Sequence, residues 1–315
     1  MASSPATRDM YAAAKLMALP GIGPARANRI MRFLAGTTAT SIWDALESPH
    51  LHPRIAELLT PEHLEAWRLT DNKLQSQIGQ LLDMHAGLIT ILDEAYPPGL
   101  LSGLGNSAPP LLFYLGNFSL LSKPGVGFCG SRDASEKGIE VARDCAQQLA
   151  ENDVVVISGN ARGVDQTAHY AALEAGGSTI LVIPEGLLGF RVKKALEPVW
   201  DWNRVLVLSQ FLPGAKWTVS NAMQRNKTIV GLSHVMILIE ARETGGSIDA
   251  GWSALKMGRS LYAPVYEGMP EAAVGNRILL EEGAKPLKKS RSTRRANLSS
   301  LLGELRAMMS QRPAL

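Results

Sequence analysis

Apolar positions recur every three to four residues from residue 9 to about residue 85. That spacing predicts a run of amphipathic helices, interrupted at Pro20–Pro24 and around His50–Pro53, where proline and glycine break it. From Ile89 to Gly116 the pattern changes to short apolar runs (ITILDEAYPPGLL, APPLLFYLGN) punctuated by proline and glycine. This reads as a connector with one or two short strands. From Val126 onward, continuous apolar runs alternate with helical stretches. Strands are predicted at Val126–Cys129, Val154–Ser158, Thr179–Ile183, Arg204–Leu208, Val235–Glu240 and Ser260–Ala263, with helices such as Lys137–Glu151, Val164–Ala175, Val219–Val230 and Ser247–Met257 between them. Apolar strands separated by helices specify a parallel sheet covered on both faces. The expected fold is α/β, a doubly wound, mostly parallel sheet with a small all-helical domain before it. The boundaries read as 1–86 helical domain, 87–124 connector, 125–285 sheet domain and 286–315 tail.

Charge changes the picture mainly in that tail. The net charge of the 315-residue chain is only +3, but Lys285, Lys288, Lys289, Arg291, Arg294 and Arg295 fall in one acid-free run, KPLKKSRSTRR. Such a run is expected to be flexible and solvated, with the capacity to touch phosphates. Beyond it, Leu298, Leu301, Leu302, Leu305 and Met308 recur at helical spacing, predicting a short amphipathic helix for the chain itself or for a partner. A 46% hydrophobic and 19% charged composition fits a packed protein rather than a disordered one. No apolar stretch is long enough to span a membrane, and the first residues carry no secretory signal pattern. Two cysteines, Cys129 and Cys145, exclude a disulfide framework and a cysteine zinc cage. A reduced, cytoplasmic protein is expected.

In doubly wound sheets, ligands sit beyond the carboxyl ends of the strands, so the turns there are the places to look. After the first strand of the sheet domain come Gly130, Ser131, Arg132 and, as a helix cap, Ser135. After the second come Ser158, Gly159, Arg162 and Gly163; after the fifth, Gly245, Gly246 and Ser247. Small residues before a helix start expose amides that attract anions, and an arginine fork suits phosphate. The Arg225-Asn226-Lys227 cluster within an apolar helix is costly unless an anion meets it. Near the amino terminus, Gly21 and Gly23 join two predicted helices, Tyr11–Ala18 and Ala25–Leu34, with Arg26 one step beyond. A hairpin of that kind can dock a DNA phosphate on its amides. Phe211, Trp217, Trp200 and Trp202 are candidate stacking platforms.

Two motif matches are rejected. Gly125, Gly127 and Gly130 fit G-x-G-x-x-G, but the first two precede or lie in the strand instead of following it. The same segment lacks the lysine of a P-loop. His50 and His52 lack acidic or cysteine neighbours, so no metal site is expected there. His169 lies one helical turn beyond Asp165, where it is either a satisfied core histidine or a ligand contact.

Taken in order, these blocks resemble the DprA (Smf) family of DNA-processing proteins over about residues 10–285. The matching segments are LPGIGPARANRI, ITILDEAYPPGL, PPLLFYLGN, GSRDAS, SGNARGVDQTAHYAALEAGGSTI, QRNKTIVGLS, EARETGGSIDAG and GNRILLEEGA. The resemblance implies an extended Rossmann-like fold, single-stranded DNA binding, a homodimer and a RecA-type recombinase as a further partner, while a defence-pair reading would instead supply a co-encoded protein. It carries DNA contact onto Arg132, Arg225 and Lys227, with Gly130, Ser158, Gly159 and Gly163 lining the same pocket. Departures are a PEGLLGFRVKKALEPVWDW stretch where the family has tyrosine–proline–asparagine, Ser209-Gln210 for serine–glutamate, and Ala263-Pro264-Val265-Tyr266 for valine–proline–glycine. The basic tail stands where many members carry a winged helix. They mark a divergent branch.

The expected function is therefore non-catalytic single-stranded DNA binding in DNA uptake, processing or recombination, with no cofactor. One alternative is an antitoxin or nucleotide sensor of a phage-defence pair, favoured by the apolar stripe Leu298–Met308. Another is a phosphoribohydrolase, but Trp252 stands where that chemistry requires a glutamate.

Overall fold

The computed structural model describes residues 5–35, 42–47, 57–69, 71–266 and 271–310. The expected α/β class is what is found: nine strands form a mixed, mostly parallel sheet. They are β1 (Gly87–Thr90), β2 (Leu111–Gly116), β3 (Gly125–Cys129), β4 (Val155–Ser158), β5 (Thr179–Val182), β6 (Val205–Ser209), β7 (Val235–Leu238), β8 (Ser260–Pro264) and β9 (Lys285–Leu287). The chain divides into two compact units.

The first unit holds residues 1–115, 184–190 and 208–218. Its helices are α1 (Pro5–Ala18), α2 (Pro24–Ala35), α3 (Ile42–Glu47), α4 (Pro61–Arg68), α5 (Asn72–Asp83) and α6 (Pro98–Leu104). Their apolar stripes meet in a core that includes Leu16, Ile30, Met31, Ile78 and Leu81. Where one or two short strands were expected, the connector supplies two, β1 and β2, which pair antiparallel. His50 and His52 lie outside the described residues.

The second unit holds residues 116–183, 191–207 and 219–315. One face of its sheet is covered by α7 (Glu136–Glu151), α8 (Val164–Glu174) and α12 (Ser299–Ser310). On the other lie α9 (Val219–Leu232), α10 (Gly246–Lys256) and α11 (Val274–Glu281). Strand β3 shows how sequence meets both faces. Val126 and Phe128 point into the core beneath α7. Gly127 points the other way, where a Cβ would collide with Met236 and Ser233. The first two glycines of the rejected motif, Gly125 and Gly127, thus serve packing within a strand.

The carboxyl-terminal segment departs from expectation. The basic run is ordered: Lys285–Leu287 extends the sheet as its edge strand, parallel to β8, and edges are where a strand proline is tolerated. Lys289 bridges to Ala296 across a turn. Arg295 reaches Asp144 at 2.5 Å and Glu151 at 3.1 Å. These acids lie far away in sequence, so the charge run could not announce them. The stripe of α12 packs on its own chain, with Leu298, Leu301 and Leu305 buried in the core under the sheet; of the stripe, Met308 is the residue left exposed. Leu301→Ala should therefore lower unfolding free energy by about 2–5 kcal/mol, as for other deep core truncations, whereas a dispensable tail would leave the urea midpoint unchanged.

Candidate nucleic-acid interface

In the second unit the chain adds β4 and β5 on one side of β3, then returns to add β7, β8 and β9 on the other. Helices α7 and α10, leaving β3 and β7, depart to opposite faces. A crevice therefore opens beyond the carboxyl ends of these two strands. All three small-residue turns singled out in the sequence lie along this edge.

The first two turns are interlocked. The Val164 amide donates to the Ser131 carbonyl at 3.3 Å, and Gly130 gives the Val164 side chain room to approach. Gly163 holds φ of +77°, and a Cβ there would strike the Ser131 and Arg132 carbonyls. Both constraints demand glycine. Arg132 is exposed on this loop. Arg162 is also exposed but reaches Asp133 at 2.6 Å, a solvent-screened pair of small energetic worth.

Helix α9 ties in the other turn. Its Arg225 is 5% exposed and donates from Nη1 to the Val182 carbonyl at 2.8 Å. Its guanidinium and the Asp165 carboxylate crowd the Cα of Gly159 so closely that a side chain there has no space. Asn226 donates from Nδ2 to the Gly246 carbonyl at 3.2 Å, beside Gly245, whose φ is +110°. Lys227 is exposed and makes no ion pair with a described residue. The three neighbours thus face three ways, as 100° per residue requires. Arg225 sits inside, Asn226 holds the third turn, and Lys227 faces solvent. The structure places Arg225 as a brace beneath the surface.

Two predicted contacts have internal partners. Ser135 caps α7 as expected, its Oγ accepting from the Gly138 amide at 3.0 Å. It also donates from Oγ to Glu240 Oε1 at 2.5 Å, and its amide donates to Oε2 at 2.8 Å. The anion at this helix start is the chain's own Glu240, which is fully buried and stabilised there by the helix dipole. Ser158 is likewise buried, with Oγ 3.0 Å from the Phe128 carbonyl and 2.9 Å from Asp165 Oδ1. Asp165 Oδ2 accepts from the Ala161 amide at 3.1 Å, so this carboxylate shapes the second turn. Ser247 is half-buried at the start of α10.

Glu240 and Asn160 are the residues that sequence reasoning did not assign. An acid closing the run VMILIE was the available signal for the first. The Asn160 Oδ1 is buried and meets no partner among the described residues.

His169 is a satisfied core histidine. Nε2 lies 2.6 Å from the Gly159 carbonyl and Nδ1 2.6 Å from Thr179 Oγ1. Burial, the largest cause, pushes its pKa down to about 4. The neutral ring then donates from Nε2 to the Gly159 carbonyl, while the Thr179 hydroxyl beside Nδ1 also reaches the Val156 carbonyl at 2.8 Å.

In the first unit, Gly21 has φ of +71°, and both Gly21 and Gly23 have open space where a Cβ would stand. Arg26 is exposed on α2 directly beyond them, while His63 Nε2 holds the Pro20 carbonyl at 2.8 Å. Of the candidate stacking residues, Trp202 is 42% and Trp217 49% exposed, and Trp200 meets Trp202 edge-on at 5.2 Å. Among the described residues no cluster of metal-ligating side chains occurs, and no helix is long and apolar enough to cross a membrane.

The model of the DNA recombination-mediator protein A family matches residues 87–296. The chain belongs to this family. It is 39% identical to DNA processing protein DprA of Streptococcus pneumoniae over 201 residues, covering 62% of this chain and 69% of that one. To the Bacillus subtilis DprA it is 27% identical, covering 82% and 89%. The solved Streptococcus pneumoniae DprA superposes with a TM-score of 0.72 at 29% identity, over 89% of this chain and 94% of that chain. A Helicobacter pylori DprA, whose structure was described for its single-stranded DNA binding mode, superposes with a TM-score of 0.57 at 22% identity, over 73% and 98%; that likeness is one of fold. The family match spans β1 to Ala296, so it takes in all three turns and the ordered basic run of this DprA-family chain.

The buried histidine generates a pH test. Its folded pKa of about 4 lies below the ordinary 6.5, so the unfolded chain takes up the proton first. Stability is complete above about pH 6.5 and falls as pH drops toward 4. The histidine's share is ~2–4 kcal/mol at 1.36 kcal/mol per unit. Urea titrations at pH 7 and pH 4.5 should show a loss that is smaller by about that amount in His169→Gln; equal losses in both proteins would contradict it.

Proposed function

We propose that this chain binds single-stranded DNA along the carboxyl edge of β3, β4 and β7, without chemistry on the strand. The observation that carries the reading is the division of labour within one tripeptide. Arg225 is held on the Val182 carbonyl and packs against Gly159 of the second turn, Asn226 holds the third turn, and Lys227 is left exposed on the same helix. A rigid edge with outward cations neutralises phosphates with little reading of sequence. Family membership and the DNA-binding description of the Helicobacter pylori relative support the same choice. The amide-lined hairpin at Gly21–Gly23 with Arg26 is a secondary phosphate contact in this reading. The role is that of a recombination mediator: shielding the strand, acting as a homodimer and passing the strand to a RecA-type recombinase.

The test is a titration of the intact protein with labelled oligonucleotides at two salt concentrations. Arg132→Ala and Lys227→Ala should each weaken binding by about fivefold, the factor for ~1 kcal/mol. Each should also flatten the salt slope by about 0.7 for every phosphate that is no longer neutralised. Arg225→Ala should instead lower the melting temperature, because it empties a buried site. Unchanged affinity and slope in both surface variants would reject this edge as the DNA site.

A further inference from the structure

A cavity of about 650 Å³ lies in the second unit, lined by none of the residues of the three turns. It opens beyond the carboxyl ends of β8 and β9, with α7 as its wall. Val141, Tyr266 and Leu287 contribute an apolar floor. The Tyr266 ring is held in place by its hydroxyl, which donates to the Ile239 carbonyl at 3.2 Å, and the Lys137 ammonium lies 5.7 Å from the ring centre.

The rim is cationic. Lys137, Lys288, Lys289, Arg294 and Arg295 line the cavity, against Glu140 and Asp144. Asp144 is already engaged by Arg295 Nε at 2.5 Å and by the Ala296 amide at 2.6 Å. Lys288, Lys289 and Arg294 are exposed and form no ion pair with a described residue. Arg294 also holds the left-handed φ of +59°, uncommon for a residue with a side chain. Its amide bonds to the Ser290 carbonyl at 3.1 Å, while the Ser290 amide bonds to the Arg295 carbonyl at 2.8 Å. This small loop fixes the backbone that carries the rim.

An apolar floor beneath a surplus of positive charge selects a ligand with an apolar flat part and at least two negative charges nearby. The volume falls within the range of ordinary ligand pockets, roughly 300–1,000 Å³. We propose that this cavity takes a nucleotide, the base on the floor by Tyr266 and the phosphate on Lys288, Lys289 and Arg294. The position favours this class over an acidic peptide. The wall begins at Lys137, two residues past the Ser135 cap and roughly 3 Å of helix rise from it, and Arg132 stands on the loop just before. A strand held at Arg132 would therefore lie on the side of the molecule where this wall begins. The strand as source therefore rests on the DNA reading above, while a free nucleotide does not.

Two probes separate the sources. Wild type, a Lys288→Ala/Lys289→Ala/Arg294→Ala variant and Arg132→Ala are each titrated with dAMP by calorimetry and with a dT20 oligonucleotide by anisotropy. Val265→Trp, at an exposed position in the cavity mouth, serves as a second variant should the triple one unfold. Binding of dAMP that weakens at least tenfold in a cavity variant but persists in Arg132→Ala supports a free nucleotide. No dAMP binding, with dT20 weakened severalfold by both a cavity variant and Arg132→Ala, supports a nucleotide of the strand. If Arg132→Ala weakens dT20 while neither cavity variant changes either probe, the cavity proposal fails and the DNA edge stands. If only the cavity variants matter, the edge fails and the cavity stands. Cavity variants that alter only dimerisation, or only binding of an oligoglutamate peptide, overturn the proposal.

Discussion

A guanidinium taken out of water must find acceptors inside the protein, because it cannot shed its charge. Arg225 meets part of this demand at the carboxyl end of β5, where Nη1 donates to the Val182 carbonyl, and its guanidinium and the Asp165 carboxylate both crowd the Cα of Gly159. Much of the edge follows from that one placement. Gly159 has to be glycine, Asp165 is positioned to hold the Ala161 amide and the Ser158 hydroxyl, and α9 is fixed in rotation about its axis. Once the rotation is fixed, Asn226 reaches the third turn and Lys227 faces outward.

The crevice beside it is governed by a second internal charge. Helix α7 presents free amides at its start, which in many doubly wound proteins would receive a ligand phosphate. Here the buried Glu240 takes that place through Ser135. In the proposed reading, a ligand is directed away from the helix start and toward the outward cations on the rims of the turns. That arrangement suits a flexible polyanion gripped along its backbone better than a small phosphate enclosed in a pocket. His169 of α8 adds rigidity, since its neutral ring links the Gly159 carbonyl, just past β4, to Thr179 of the neighbouring strand.

The sequence made the sheet legible because six of its strands are apolar runs bounded by turn residues, and each was found within one or two residues of its predicted limits. Strand β9 was not, since three residues with a lysine and a proline carry no such pattern. The basic run read as flexible because its order depends on Asp144 and Glu151, a contact between segments about 150 positions apart. In α9 the helical period separates Arg225 from Lys227 but does not say which one faces inward. The clue was there: Ala222, Arg225, Thr228 and Ile229 share one stripe, and all four are buried. The strand-end turns and the family blocks both drew attention to this edge; of the residues they named, Ser135, Ser158 and Arg225 each have partners inside the protein, which spacing along the chain does not reveal.

The central claim is that this edge grips a single strand through exposed positive charge on a rigid frame. It is tested most directly by titrating the unmodified protein with single-stranded and duplex DNA of equal length at two salt concentrations. The account predicts tighter binding to the single strand and an affinity that falls linearly with salt on logarithmic axes. Equal affinity for both forms, or binding indifferent to salt, would contradict it.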